Sequence, residues 1–421
     1  MAGARVLVAT TPADGHVNPV LPVVRQLVRR GHDVRWYTGK AYHDRIRAAG
    51  ATPEPMCAAR DFGGMSKREA FPDHANLTGL ASFRAGMADI FYGTAVDQLA
   101  DLRGVLARFP ADVIVSDDMC YGACFLSEHT GIPQAWVGNS VYLLGSRDTA
   151  PLGYGLGPSA SWPGRLRNRL LTLAGDHLAL RALRHRADEV RAAAGLPRLP
   201  ASVLENIARR PDLYLMGTVE SFEFPRSDLF AGTHFVGLLD QPGTDATPPD
   251  WWPELHGGRK VVLVTQGTVA DDTHRLLLPA LEALADLPVL VVVTTGNRPL
   301  ETPVPANARV EGFVPYHQLL PHVDVMVTNG GFNGVNAALA HGVPLVVAGA
   351  TEEKADVARR VTWTGAGVAL RGVTPQRVRR AVGGVLDDAR YRDAATRLQK
   401  EYLAQDGPRH AADLVEGMVR R

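Results

Sequence analysis

Short runs of β-branched and aliphatic residues recur along this chain, each followed by a polar or glycine turn and then by helical spacing. Residues 5–10 (RVLVAT), 34–37, 112–116 (DVIVS) and 134–138 (QAWVG) have the length and unbroken apolarity of strands buried on both faces. Between the first two, the spacing predicts a helix from about residue 19 to 30, closed by Gly31. The pattern restarts at 260–265 (KVVLVT), 290–294, 324–328 (DVMVT) and 345–348 (LVVA). A helix is predicted over 332–341, with Gly342 as its C-cap and Pro344 just beyond. Strand–helix–strand units of this kind build parallel sheets, and ligands bind at the carboxyl ends of the strands.

Between the two series, 241–253 (QPGTDATPPDWWP) is rich in proline and glycine and marks a domain boundary. The expected division is a first domain over 1–240, a linker over 241–253 and a second domain over 254–395. Three stretches break the alternation. Residues 61–93 are irregular, and either wrap an apolar ligand or form an exposed connection. Residues 151–163 read as a loop. Residues 165–194 read as a basic amphipathic helix, which is a solvated face or a membrane or partner surface. A final helical region runs from about 375 to 416.

Composition narrows the class. At 421 residues the chain exceeds one core, and 46% hydrophobic with 21% charged residues is ordinary for a soluble globular protein. A net charge of +1 argues against a nucleic-acid binder working by charge. No apolar run reaches the roughly 18 residues of a membrane span, and Asp14 interrupts the start before a signal-peptide core forms. Three cysteines give no disulfide framework, and Cys120 and Cys124 lack a zinc spacing and read as buried helix residues. A cytoplasmic protein is expected. The dinucleotide fingerprint Gly-x-Gly-x-x-Gly and the phosphate-loop motif are both missing from the first strand–helix turns.

Candidate chemistry gathers at the turns. Asn329-Gly330-Gly331 feeds a helix N-terminus at Phe332, Asn333 and Gly334, where free N–H groups and a positive dipole end attract an anion; an ordinary turn would look the same. His16 (DGHVNP) sits just past the first strand, as a base or as a surface residue. An imidazole of pKa near about 6.5 is neutral and still basic at pH 7. Asp117 and Asp118 follow the strand at 112–116, and either could cap the next helix.

Residues 323–354 resemble the nucleotide-sugar signature of the family 1 glycosyltransferases, close to the antibiotic and macrolide glycosyltransferases of actinomycetes. There the stretch reads His-x-Gly-x-x-Ser or His-Gly-Gly-x-Gly-Ser, then Glu-Ala-Leu, x-Gly-Val-Pro and an acidic-Gln loop. Here those slots hold Asn329, Gly330, Gly331, Gly334, Ala337-Ala338-Leu339, His341-Gly342-Val343-Pro344 and Glu353-Lys354. The resemblance implies a GT-B fold, two facing Rossmann-like β/α/β domains with an interdomain cleft, and a terminal helix, 396–421, returning to the first domain. It implies inverting, metal-independent transfer of a sugar from a UDP- or dTDP-sugar to a hydroxyl of a hydrophobic natural product. The nucleotide sugar is a co-substrate, so no cofactor or metal is expected.

By the same resemblance His16 is the general base and Asp117 orients it, with Asp118 as the fallback. Thr268, Asn329, Gly330, Gly331, Phe332, Asn333 and Gly334 hold the diphosphate. Gln266, Phe313 and Val314 line the nucleobase, and Glu353 and Lys354 read the sugar. Four slots depart from the family. Asn329 replaces a His but still donates from its amide, and Gly334 replaces a Ser. Ala337 replaces the Glu that holds both ribose hydroxyls, which tilts toward a deoxyribose donor, with Asn336 as a substitute ligand. Lys354 replaces a Gln, which points to a deoxy, amino or acidic sugar. Two other readings stay open: a nucleotide-sugar epimerase of the same fold, and a catalytically silent partner that activates a true glycosyltransferase. Acceptor identity and oligomeric state, a homodimer included, stay open too.

Overall fold

The computed structural model describes residues 3–74, 76–240, 247–267, 272–300, 302–349 and 354–419. Two parallel sheets account for the strands. The first joins β1 (Arg5–Ala9), β2 (Asp33–Tyr37), β3 (Thr52–Glu54), β4 (Val113–Asp117), β5 (Gln134–Gly138), β6 (Leu213–Met216) and β7 (Thr233–Phe235), in the order β3-β2-β1-β4-β5-β6-β7. The second joins β8 (Lys260–Thr265), β9 (Val289–Thr294), β10 (Ala308–Glu311), β11 (Val325–Thr328), β12 (Leu345–Val347) and β13 (Gly367–Ala369), in the order β10-β9-β8-β11-β12-β13. This is the pair of Rossmann-like domains expected of a GT-B chain.

The central strands carry apolar residues on both faces because helices cover both. Leu7 packs to one side of the first sheet with Ile114 and Tyr214, while Val6 and Val8 pack to the other with Val113 and Val115. Val262 and Val264 likewise face Leu281, Val378 and Val382. Strand order reverses between β1 and β4 in the first sheet and between β8 and β11 in the second. The loops after those four strands therefore diverge and leave a crevice, where an open α/β sheet takes its ligand.

The chain passes between the domains more than once. The helix Ala389–Leu403 packs on the second domain's helix Phe332–Ala340. The last helix, Gly407–Val419, packs on the first domain's helix Val20–Arg29 and sends Ala411, Ala412 and Val415 into that domain's core. Burying a side chain such as Val415 contributes about 1.5–3 kcal/mol. Arg30 bonds Asp413 at 2.7 Å and His32 meets Glu416 at 2.8 Å along the same seam.

Residues 165–194 are helical as expected, in three pieces: Trp162–Ala174 runs into a π-helical turn, Gly175–Ala179, and a new helix, Arg181–Ala193, starts beyond Leu180. The expectation for residues 61–93 needs correction: they are not irregular throughout, since Gly79–Ala85 is helical and Gly86–Tyr92 is π-helical. A π turn bonds i to i+5, so apolar residues wound into it lose the 3.6 period that marks a helix in sequence.

Candidate active site

His16 lies in a short helix, Asp14–Val17, directly after β1, and Asp117 is the last residue of β4. Because β1 and β4 are paired neighbours, the two side chains meet at the point where strand order reverses. His16 Nδ1 stands 2.8 Å from Asp117 Oδ1. Asp117 is wholly buried, yet its oxygens are well supplied: Thr11 N donates to Oδ2 at 2.6 Å and Met119 N donates to Oδ1 at 2.9 Å. A buried carboxylate fixed by backbone donors is a rigid partner for an imidazole. The His16 side chain keeps 15% exposure, and its ring lies 5.7 Å from that of Phe91.

Asp118 does not take this role. It points to the other side of β4, where Tyr214 OH donates to its Oδ2 at 2.7 Å. Burial, reinforced by the neighbouring Asp117 charge, pushes its carboxyl up to about 7. Sequence reasoning passed over Asn139, just beyond β5, whose side-chain amide lies 2.6 Å from His16 Nδ1. Its position one residue after a strand neighbouring β4 was the available signal.

Across the cleft, Asn329, Gly330 and Gly331 follow β11 and lead into Phe332–Ala340. Gly330 adopts φ +88°, the left-handed region, and a Cβ there would sit 2.8 Å from Val347 Cγ1. The N–H groups of Gly330 and Gly331 turn inward, to Thr328 Oγ1 and Asn329 Oδ1. Asn329 Nδ2 donates to Gln266 O and so ties the β8 turn to the β11 turn. The N-cap residue, Gly331, has no side chain to cap the helix, so the N–H groups that open toward the cleft are those of its first turn, Phe332, Asn333 and Gly334. Asn333 Nδ2 reaches the first domain at Gly15 O, 3.4 Å away. The proposed base and the helix N-terminus thus face one another.

The remaining expected contacts separate. Phe313 is 72% exposed, an open aromatic face, whereas the Val314 side chain is buried in the core. Gln266 is buried, donating to Asp272 O at 2.7 Å, and its Oε1 has no hydrogen-bond partner among the described residues. Lys354 opens the helix Lys354–Thr364 beside the Gly330 turn. Thr268 and Glu353 lie outside the described residues. Asn336 is not available as a ribose ligand. It is wholly buried; its Oδ1 accepts from Thr218 Oγ1 at 2.6 Å and from Tyr402 OH, and its Nδ2 donates to Phe332 O at 2.8 Å. Facing inward on its helix, it holds the domains together instead.

Comparison with known proteins identifies the family. Residues 276–418 match the family model described as "Erythromycin biosynthesis protein CIII-like, C-terminal domain". The chain is 59% identical over 421 residues to 4'-demethylrebeccamycin synthase of Lentzea aerocolonigenes, covering 99% of this chain and 100% of that one. Its fold is similar to that of CalG4, the calicheamicin glycosyltransferase, with a TM-score of 0.76 at 24% identity over 100% of this chain and 99% of that one. It is also similar to glycosyltransferase VinC, solved in complex with dTDP, with a TM-score of 0.69 at 20% identity over 99% of this chain and 100% of that one. This chain belongs to the GT-B glycosyltransferases of family 1, among those that glycosylate antibiotic natural products.

Proposed function

We propose that the protein transfers a sugar, with inversion, from a nucleoside diphosphate sugar to a protic heteroatom of an apolar natural product, a hydroxyl in the first instance. The observation that carries this reading is the His16–Asp117 pair, its carboxylate wholly buried, facing the N-terminus of Phe332–Ala340. Asp117 accepts the Nδ1–H of His16, which leaves Nε2 as the basic nitrogen. Nε2 takes the acceptor proton as the acceptor atom bonds to the anomeric carbon, and the bond from that carbon to the diphosphate oxygen breaks on the opposite face. The departing diphosphate gathers charge, and the first-turn N–H groups of Phe332, Asn333 and Gly334 meet it at the positive end of the helix.

The proposed chemistry calls on no metal, because the helix N-terminus receives the charge that gathers on the leaving diphosphate. The first test is kinetic. His16→Ala is expected to lower kcat by about 10³-fold, within the range of general-base catalysis, with nucleotide affinity unchanged by calorimetry. Transfer at the wild-type rate would remove the base assignment.

The donor is read as a thymidine diphosphate sugar. Ala337 offers nothing to a 2′-hydroxyl, and the neighbouring Asn336 is fully engaged elsewhere. Calorimetry without metal is expected to give tighter binding of dTDP than of UDP. Tighter UDP binding would overturn the deoxyribose argument and leave the transfer chemistry standing.

A further inference from the structure

Among the described residues, His16 Nδ1 meets two hydrogen-bonding neighbours where an orienting pair needs one. Asp117 Oδ1 lies at 2.8 Å and the side-chain amide of Asn139 at 2.6 Å. A neutral imidazole has one N–H, so Nδ1 either donates or accepts. The oxygens of Asp117 already accept from Thr11 and Met119, and Nδ1 must donate to fit there. An Asn139 N–H aimed at the same atom would oppose donor to donor. Turning the amide by 180° about its last torsion puts Oδ1 at that contact and makes it a second acceptor.

We propose that Asn139 is a positioning residue that, beside Asp117, holds His16 in the Nδ1–H tautomer through its side-chain carbonyl. This rests on the reading of His16 as the base. The opposite amide sense would favour the tautomer with the proton on Nε2, which cannot accept one from the acceptor. The backbone leading to Asn139 is itself anchored, since Gly138, the last residue of β5, pairs with Met216 of β6. Asn139 follows Gly138, and β5 pairs with β4 so that Val137 stands opposite Asp117. The carbonyl therefore reaches Nδ1 from a fixed strand end and not from a mobile loop. As the imidazolium forms, its Nδ1–H is shared between two oxygens, one of them charged.

Two substitutions at one position give opposite signs. Asn139→Leu removes the acceptor while keeping the volume. It is expected to lower kcat about 10-fold with the donor KM within about 2-fold, in the range of losses at supporting groups. The imidazolium loses an acceptor, so the acidic limb of the kcat/KM profile moves to lower pH. Asn139→Asp supplies a second carboxylate, stabilises the imidazolium and moves that limb to higher pH, with activity recovering above it. Nitrogen-15 NMR of histidine-labelled protein reads the tautomer directly. Wild type and Asn139→Asp are expected to carry the proton on Nδ1, whereas Asn139→Leu shows a mixed population. Limbs that move the same way, or an unchanged nitrogen spectrum in Asn139→Leu, would overturn the proposal. The NMR readout needs no turnover, so it is distinct from a failure of the base assignment, which His16→Ala reports.

Discussion

At the carboxyl end of β4, two adjacent carboxyls stand in opposite situations. Asp117 is surrounded by donors, while Asp118 Oδ1 is buried with no hydrogen-bond partner among the described residues and its other oxygen meets Tyr214. Burial raises Asp118 from an ordinary value of 3.8 to about 7, so the folded protein holds a proton that the unfolded chain releases. That contribution to stability is whole below about pH 4 and is lost as pH rises through about 7. Asp118→Asn keeps an acceptor for Tyr214 and cannot ionise. Between pH 5 and pH 8, the stability difference should move in favour of the variant by about 2–3 kcal/mol, at about 1.4 kcal/mol per pH unit of displacement. Urea unfolding at both pH values measures it, and an equal difference at each would show that Asp118 is not the titrating group. At this scale the sequence was legible where a residue stood at a strand end with one obvious chemistry, as with His16 and Asp117. It was not legible where orientation decides. Asn336 and Ala337 are adjacent in sequence, but only the three-dimensional helix shows that Asn336 turns toward Thr218 and Tyr402.

The donor-side elements depend on two close approaches of backbone. Gly330 holds the positive φ of the turn, and Gly349, after β12, packs so tightly that a Cβ would lie 1.8 Å from Asn329 O. A backbone atom cannot give way as a side-chain tip can. Gly349→Ala is therefore expected to displace the Asn329 turn, costing at least about 1–3 kcal/mol of stability and weakening nucleotide binding. Gly383 provides the control. It lies inside the helix Pro375–Asp387 with nothing within 4 Å of an added Cβ. Gly383→Ala should stabilise by up to about 1 kcal/mol through helix propensity. Thermal melts with and without dTDP separate the two, and equal effects would show that the turn tolerates movement. In the second sheet β8, β9, β11 and β12 were readable because they are apolar, largely β-branched runs. By contrast, β10 (ARVE) and β13 (GVA) are too short and too mixed to show that pattern. The acceptor-side segments were not readable either, because the π turns at Gly86–Tyr92 and Gly175–Ala179 break the period that identifies a helix.

The two domains are joined by a buried charged clasp. Glu223, between β6 and β7, accepts from Arg360 of the second domain at 2.8 Å through Nε and 2.5 Å through Nη2, and from Arg226 at 3.1 Å. Burial alone would raise the Glu223 carboxyl, but the two guanidinium groups outweigh it and hold it below the usual range. On the same helix, Asp356 Oδ2 accepts from Gly153 N at 2.5 Å, binding the first domain's 151–157 loop to the helix that starts at Lys354. The clasp thus connects an acceptor-side loop to an element beside the donor turn. Arg360→Met keeps much of the volume but strips Glu223 of its principal partner, and should destabilise by about 3–5 kcal/mol. Glu223→Gln in that background removes the unpaired charge, so the double variant should recover more than about 1 kcal/mol relative to additivity. On the proposed reading the nucleotide binds through the second domain, so dTDP affinity should change little, while kcat, which on that reading needs both domains together, should fall. Additive stabilities in the double-mutant cycle would mean that the ion pair does not join the domains. Loss of dTDP affinity in Arg360→Met would place its effect in the donor site, not in the approach of one domain to the other.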